Sequence, residues 1–277
     1  MANVEEVVAE HYTTGLLTER VKDALRAIGV DPATATASDL KAGDEFHTGG
    51  LQASDHLFDR LTINADMSVL DVGCGIGGTS RLIADRFGAR VTGIDLTPEF
   101  VETAVALTEM VRLGHLAQFR QGSALSMPVP SGSFDLAVLM HVGMNIGDKV
   151  ALLSEISRCL KPGATFALFD VMRGVDPEPL AFPLPWSSMA ETSFVDPPSL
   201  YKLAAQAADL VLTHEEDRSA FAKEFFAKAL AKAAEGPQPL GIHLMMGETA
   251  PLKFENYVAN LDAGRIAPVE MIFRKEG

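Results

Sequence analysis

The feature that most constrains the fold is the stretch Val69–Gly78 (VLDVGCGIGG), in which an apolar run ends at an acid and enters a glycine-rich turn. The apolar residues predict a buried strand, and the residues from Gly77 to Phe87 predict a helix. A strand, a glycine turn and a helix in this order are typical of a parallel α/β sheet. Such sheets bind ligands at the carboxyl ends of their strands.

The alternation of strands and helices continues beyond this stretch. It predicts an α/β fold with a Rossmann-like, doubly wound, mostly parallel seven-stranded sheet and a helical cap. We expect an N-terminal helical cap segment over 1–67 and a sheet domain over 68–277, with cap insertions at about 173–196 and 217–264. The predicted strands are SVLDVG, RVTGID, AQFRQG, SFDLAVLM, ATFALFDV, DLVLTHEE and APVEMIFRK.

Composition excludes several classes of function. A formal net charge of −14 argues against nucleic-acid binding, which needs clustered basic residues. No apolar run approaches the length of a membrane span, and the acidic N-terminus is unlike a secretory signal. Two cysteines, Cys74 and Cys159, suit a reducing cytoplasm, and neither they nor the histidines give a metal-ligand spacing. We therefore expect a cytoplasmic protein without a metal, acting on a small molecule.

Asp71 bears on the kind of ligand. Gly73, Gly75 and Gly78 fit the G-x-G-x-x-G pattern of dinucleotide sites, but a pyrophosphate at the helix N-terminus would lie near the negative charge of Asp71. A ligand with an ammonium group would instead be attracted. S-adenosylmethionine has an ammonium group and a sulfonium but no phosphate. The plainer interpretation is that Asp71 only caps the loop.

Asp95 ends the second predicted strand, 22 residues after Gly73. An acid at this position can accept hydrogen bonds from both hydroxyls of a ribose. This residue fits S-adenosylmethionine and a nicotinamide dinucleotide equally well. An NAD-dependent oxidoreductase therefore stays an alternative at this point.

Four motifs in order resemble the class I S-adenosylmethionine-dependent methyltransferases, in the branch that contains sarcosine/dimethylglycine, ubiquinone/menaquinone and sterol C-methyltransferases. The resemblance covers about residues 68–171. Its motifs are specific for the cofactor and much less so for the substrate. They are VLDVGCGIGG, VTGIDLTPEF, FRQGSALSMPVPSGSFDLAV and EISRCLKPGATFALFD.

The resemblance implies a set of cofactor contacts. Ser123 departs from the family, which often has an acid there for the adenine amino group, and a hydroxyl is a weaker acceptor. Tyr12, in the N-terminal cap, is expected to contact the methionine moiety, and His141 to lie beside the methyl group. The expected loop and adenosine contacts are Asp71, Gly73, Cys74, Gly75, Gly77, Asp95, Leu96, Ser123 and Ala124.

His141 and His47 are the candidate catalytic residues. His141 follows the fourth strand, where a neutral imidazole could serve as a base, and the resemblance implies that the segment around His47 helps to close the site. Either histidine could instead only stabilise a loop. We expect substrate contacts from His47, Asn145, Trp186 and His243, although the single tryptophan could equally be a hydrophobic plug.

The expected function is methylation of a small, partly apolar metabolite on carbon, oxygen or nitrogen, with S-adenosylhomocysteine as the product. A glycine- or sarcosine-type amine N-methyltransferase is the close alternative. A cofactor-binding protein without catalytic activity is a further one. The sequence identifies neither the acceptor nor the oligomeric state, and it leaves a homodimer open.

Overall fold

The architecture is one seven-stranded sheet with helices on both faces, in a computed structural model that describes residues 4–13, 15–233, 239–241, 243–247 and 249–277. The strand order is β3-β2-β1-β4-β5-β7-β6. β7 runs antiparallel to both of its neighbours, and the other pairs are parallel. The predicted fold is therefore confirmed. The strands are β1 Ser68–Val72, β2 Arg90–Asp95, β3 Ala117–Gln121, β4 Phe134–Met140, β5 Leu160–Arg173, β6 Leu210–Asp217 and β7 Ile266–Lys275.

Among the described residues, four helices precede β1, single helices separate β1 from β2, β2 from β3 and β4 from β5, and four more lie between β5 and β7. Short 3-10 turns cover Gly143–Asn145 and Ala190–Thr192. The helices are α1 Val4–Tyr12, α2 Leu17–Ala27, α3 Ala37–Asp44, α4 Gly50–Phe58, α5 Gly78–Phe87, α6 Pro98–Met110, α7 Lys149–Cys159, α8 Pro198–Ala207, α9 Ser219–Ala233, α10 His243–Met246 and α11 Ala250–Asp262.

Each face of the sheet buries its own apolar cluster. On one face, Leu70 and Phe166 pack with Leu152 of α7. On the other, Val138 and Phe169 pack with Leu57 of α4. Because side chains alternate between the two faces along each strand, the same strands supply different residues to the two clusters.

The N-terminal segment is divided between two environments. Helix α4 joins the layer that covers the sheet, whereas α2 packs against α6 and α10 in a separate cluster that includes Leu25, Leu107 and Met245. The domain division after residue 67 stays a prediction. None of the described helices is long and apolar enough to cross a membrane.

Candidate cofactor and acceptor site

A cavity of about 610 Å³ opens at the carboxyl ends of β1, β2 and β4. Its floor is the glycine loop after β1, and its cover comes from α1, the segment 44–47 and Phe194. The position is where the strand order of a doubly wound sheet reverses, as expected for a ligand site. Predicted contacts that line it are Tyr12, His47, Asp71, Gly73, Cys74, Gly75, Asp95, Leu96, Ser123, Ala124, His141 and Asn145.

Two glycines shape the floor of the cavity. Gly73 has φ +72°, and a Cβ there would lie 2.3 Å from a methyl group of Val142. Gly75 has φ +53°, and its N–H donates to Asp95 Oδ2 at 2.8 Å. These left-handed conformations favour glycine and let the backbone approach a ligand closely.

Gly77 is a correction to the predicted contacts, because it does not line the cavity. It has φ +85° and precedes α5, where a Cβ would lie 2.7 Å from the ring of Phe119. Gly77 therefore starts the helix and allows close packing behind the loop.

Asp71 is 1% exposed at the end of β1. Its Oδ2 accepts a hydrogen bond from Ser80 Oγ at 2.6 Å, and it forms no salt bridge within the described residues. Burial raises the pKa of Asp71 to about 7, the Ser80 hydrogen bond opposes this rise, and the nearby acids Glu45 and Asp95 add to it. A buried carboxylate without a cation is a good receptor for an ammonium group.

Asp95 is held by backbone amides at the end of β2. Gly75 N–H donates to Oδ2, and Thr97 N–H donates to Oδ1 at 2.9 Å. Burial raises the pKa of Asp95, and these hydrogen bonds oppose the rise. The carboxylate is thus fixed in orientation beside Leu96, and each oxygen retains acceptor capacity for a ligand hydroxyl.

His141 lies where β4 ends, with φ +56°. A non-glycine residue in this region is strained, and such residues cluster at functional sites. Its backbone N–H donates to Phe169 O at 2.8 Å, which holds the turn. Nε2 is buried and has no hydrogen-bond partner among the described residues. Burial, and secondarily His47, lowers the pKa of His141 well below its ordinary value, so the ring is neutral.

His47 is buried next to this ring, with the two ring centroids 5.8 Å apart. Its Nε2 lies 2.6 Å from Glu45 Oε2, and Ser54 Oγ donates to the same oxygen at 2.8 Å. Burial alone would raise the pKa of Glu45, but the hydrogen bond and charge of His47 and the Ser54 hydroxyl hold it below its ordinary value. Glu45 therefore orients the His47 ring. Its place two residues before His47 was the available sequence signal.

Tyr12 and Asn145 connect the cover to the turn after β4. Asn145 Nδ2 lies 3.3 Å from Tyr12 Oη, and the hydroxyl lies 3.5 Å from Asn145 Oδ1. Both side chains line the cavity. This contact ties α1 to the turn after β4 across the cavity.

Trp186 and His243 were predicted to contact the substrate, and the structure places neither of them at the cavity. Trp186 is 2% exposed, packs edge-on against Tyr257 and donates through Nε1 to Ser193 Oγ at 2.9 Å. It is the hydrophobic plug that holds its segment down. His243 begins α10, which packs against α2.

Several lining residues escaped sequence reasoning because only distant contacts bring them together. Asp44 forms a buried salt bridge with Arg81 of α5 at 2.6 Å, which holds the segment 44–47 over the glycine loop. A Cβ at Gly78 would lie 1.9 Å from Asp44 O, so the two backbones touch. Other lining residues of this kind are Glu5, Phe46, Phe100 and Phe194, whereas Ile76 and Thr79 lie within and just after the glycine loop.

A cluster of side chains that could hold a metal ion lies outside the cavity. Among the described residues, the carboxylate and imidazole atoms close enough to share a metal ion belong to His56, Glu216 and Glu270. Arg60 and Arg218 already pair with Glu216, at 2.7 and 2.9 Å. None of these five residues lines the cavity.

Comparison with known proteins agrees with this geometry. Residues 70–168 match the family described as "Methyltransferase domain". The chain carries a class I S-adenosylmethionine-dependent methyltransferase domain. The carboxylates of Asp71 and Asp95 and the glycines Gly73 and Gly75 all lie in the matched segment, and their chemistry fits that cofactor.

Two curated relatives illustrate the likeness of the methyltransferase domain. A probable chloroplastic tocopherol O-methyltransferase of Oryza sativa subsp. japonica is 44% identical over 97 residues, which cover 35% of this chain and 27% of that protein. The 2-methyl-6-phytyl-1,4-hydroquinone methyltransferase of Synechocystis is 38% identical over 109 residues, covering 39% and 33%. The matched parts thus span about a quarter to a third of these relatives.

Among solved structures, the geranyl diphosphate C-methyltransferase of Streptomyces coelicolor A3(2) superimposes with a TM-score of 0.71. It is 17% identical, and the superposition covers 99% of this chain and 98% of that one. At this identity the match shows a shared fold.

Proposed function

We propose that this protein transfers the methyl group of S-adenosylmethionine to a small, partly apolar metabolite, on carbon, oxygen or nitrogen, and releases S-adenosylhomocysteine. The observation that carries the proposal is a single cavity with two different ends. One end has the buried acid Asp71 and the partly buried acid Asp95 beside the glycine loop, and the other has the imidazoles of His141 and His47 among apolar side chains.

Binding and orientation follow from the first end. Asp71 holds the ammonium group, and Asp95, fixed by two amides, accepts from the ribose hydroxyls. S-adenosylmethionine supplies a methyl group already activated by its sulfonium. The task of the protein is therefore alignment of the two reactants and exclusion of water, which the cover of α1 and residues 44–47 provides.

Proton removal is assigned to the second end. Where the acceptor atom carries a proton, its bond to the methyl carbon forms as the carbon–sulfur bond breaks, the bonding pair stays on sulfur and the proton passes to His141 Nε2. The low pKa of His141 keeps that nitrogen free to accept a proton at neutral pH. His47, oriented by Glu45, shapes the adjacent wall.

The charge of the cavity selects among acceptors. Its charged lining residues are Glu5, Asp44, Asp71 and Asp95, and no lysine or arginine lines it within the described parts of the chain. A phosphate or carboxylate on the acceptor would find no basic partner in the lining and would add to its negative charge. This favours uncharged acceptors over the glycine- or sarcosine-type amines, which carry a carboxylate.

The relatives set this preference in context. The Streptomyces protein was crystallised with geranyl diphosphate and Mg²⁺. Here the metal-compatible group of the described residues lies away from the cavity. The two curated relatives are named for a tocopherol and a phytyl hydroquinone, and acceptors of that uncharged, partly apolar kind suit this cavity better.

The test is binding followed by transfer. Calorimetry should give tighter binding of S-adenosylhomocysteine than of NADH, and the reverse order would favour the oxidoreductase. A labelled methyl group should then pass to members of a panel of phenols, hydroquinones and amines, each paired with its phosphate ester or carboxylated analogue. Preference for the charged member of each pair would contradict the assigned acceptor class. Tight cofactor binding with no transfer to any member would favour a non-catalytic protein.

A further inference from the structure

An acid that does not come from the methyltransferase motifs lies beside Ser123, where the adenine of the proposed cofactor is expected. The segment Gly122–Ala124 offers a hydroxyl, Ser123, at the position where the resembled family often has an acid. Glu5 of α1 lies beside it. Both residues line the cavity, together with Leu96 and Val4.

The contacts around Ser123 fix the position of the Glu5 carboxylate. Ser123 Oγ donates a short hydrogen bond to Glu5 Oε1 and accepts one from Leu125 N–H at 3.0 Å. The serine proton is therefore engaged with Glu5, and one of its lone pairs with Leu125. These two contacts leave the hydroxyl little capacity for a ligand.

A carboxylate has greater capacity than a hydroxyl. Its two oxygens offer about four lone-pair sites, and a hydrogen bond to an ionised acceptor is about twice as strong as one between neutral groups. The exocyclic amine of adenine is a donor and needs such an acceptor. Ser123 then holds the carboxylate in place.

We propose that Glu5 recognises the exocyclic amine of the cofactor's adenine, so that the acid absent from the Gly122–Ala124 segment is supplied by the N-terminal helix. This inference rests on the proposed cofactor. It makes α1 part of the binding site, because the helix also brings Val8 and Tyr12 to the cavity and reaches Asn145 through Tyr12.

The matched control lies on the same helix. Glu6 is exposed and does not line the cavity. Like Glu5, it is an acid in the first turn of α1. The variants Glu5→Gln and Glu6→Gln therefore change the helix and the net charge alike, and they differ only in which face of α1 is altered. Thermal unfolding of both checks that each variant is folded.

The experiment measures the affinity of S-adenosylhomocysteine and S-inosylhomocysteine for the wild type and both variants by calorimetry. The inosine analogue carries a carbonyl oxygen in place of the amine. We expect the wild type and Glu6→Gln to prefer the adenosine ligand by about tenfold or more. The Glu5→Gln variant should lose most of this preference, because its amide can donate to the carbonyl.

The outcomes separate the inference from the proposed function. An unchanged preference in Glu5→Gln, or an equal loss of affinity for both ligands, would overturn the assignment of Glu5 while leaving the cofactor intact. Failure of the wild type to bind S-adenosylhomocysteine would overturn the proposed function itself.

Discussion

The two ends of the cavity are built in different ways. At the cofactor end, Asp71, Gly75 and Asp95 come from consecutive strand-loop units. The strands β1 and β2 are paired, and Gly75 N–H donates to the Asp95 carboxylate. At the acceptor end, His47, His141 and Phe194 come from distant parts of the chain and meet only in the folded protein. The first end presents carboxylates, and the second presents imidazole and phenyl rings. Binding of a charged cofactor and choice of an uncharged acceptor are therefore separable properties.

The largest effect should come from the acceptor end. His141→Ala removes the proposed base, and for an acceptor whose reacting atom carries a proton we expect turnover to fall by about 10²–10⁴-fold. Affinity for S-adenosylhomocysteine should change little, because the acids lie at the other end. His115→Ala, an exposed histidine away from the cavity, is the control. Full turnover in His141→Ala would leave His141 as a scaffold residue.

The next effect should come from the cofactor end. Asp71→Asn removes the charge that holds the ammonium group and should weaken binding of S-adenosylhomocysteine by about 1.5–3 kcal/mol, as for loss of a charge-assisted hydrogen bond. Calorimetry measures this loss. Asp66→Asn, an exposed acid at the opposite end of β1, should bind as the wild type does. An unchanged affinity in Asp71→Asn would refute its role.

The pH dependence of S-adenosylhomocysteine binding should also distinguish the wild type from Asp71→Asn. The pKa of Asp71 is about 7 in the free protein, and the ammonium group requires the ionised form. As pH falls from 8 to 6 the carboxylate becomes protonated, so affinity for S-adenosylhomocysteine should fall by about tenfold through this linkage. In Asp71→Asn the profile should be nearly flat. A wild-type profile equally flat would mean that Asp71 does not titrate on binding.

The smallest expected effect is on stability, at Gly73, where the glycine loop packs against the turn that carries His141. Alanine at Gly73 or Gly75 is strained by the positive φ, but only at Gly73 does the new Cβ collide with Val142, next to His141. Gly73→Ala should therefore lower the free energy of unfolding more than Gly75→Ala, by about 1 kcal/mol or more, as for overpacking. Thermal and denaturant unfolding compare the two. Equal losses would show that Val142 moves aside without cost.

Sequence reasoning worked best where function depends on local order. The positions of Asp71, Gly73, Gly75 and Asp95 at strand ends follow from apolar periodicity and the glycine pattern, and all four line the cavity. It failed for Trp186, whose aromatic character suits a cavity wall and a core equally well. It missed Glu5 and Phe46, because no spacing in the sequence indicates that a helix near the N-terminus will lie over the end of β3 or that residues 44–47 will cover β1.

The sequence by itself determined the strands of the sheet, the alternation of strands and helices after β1, and the acids of the cofactor end. These features depend on side-chain periodicity and on contacts between neighbours in the chain. Tertiary structure decided which side chains of the predicted cap reach the cavity. In the folded protein Trp186 and His243 lie away from the acceptor end. Glu45 is hydrogen-bonded to His47, and Glu5 to Ser123. These contacts join residues up to 118 positions apart, and only the packing of helices against the folded sheet fixes them.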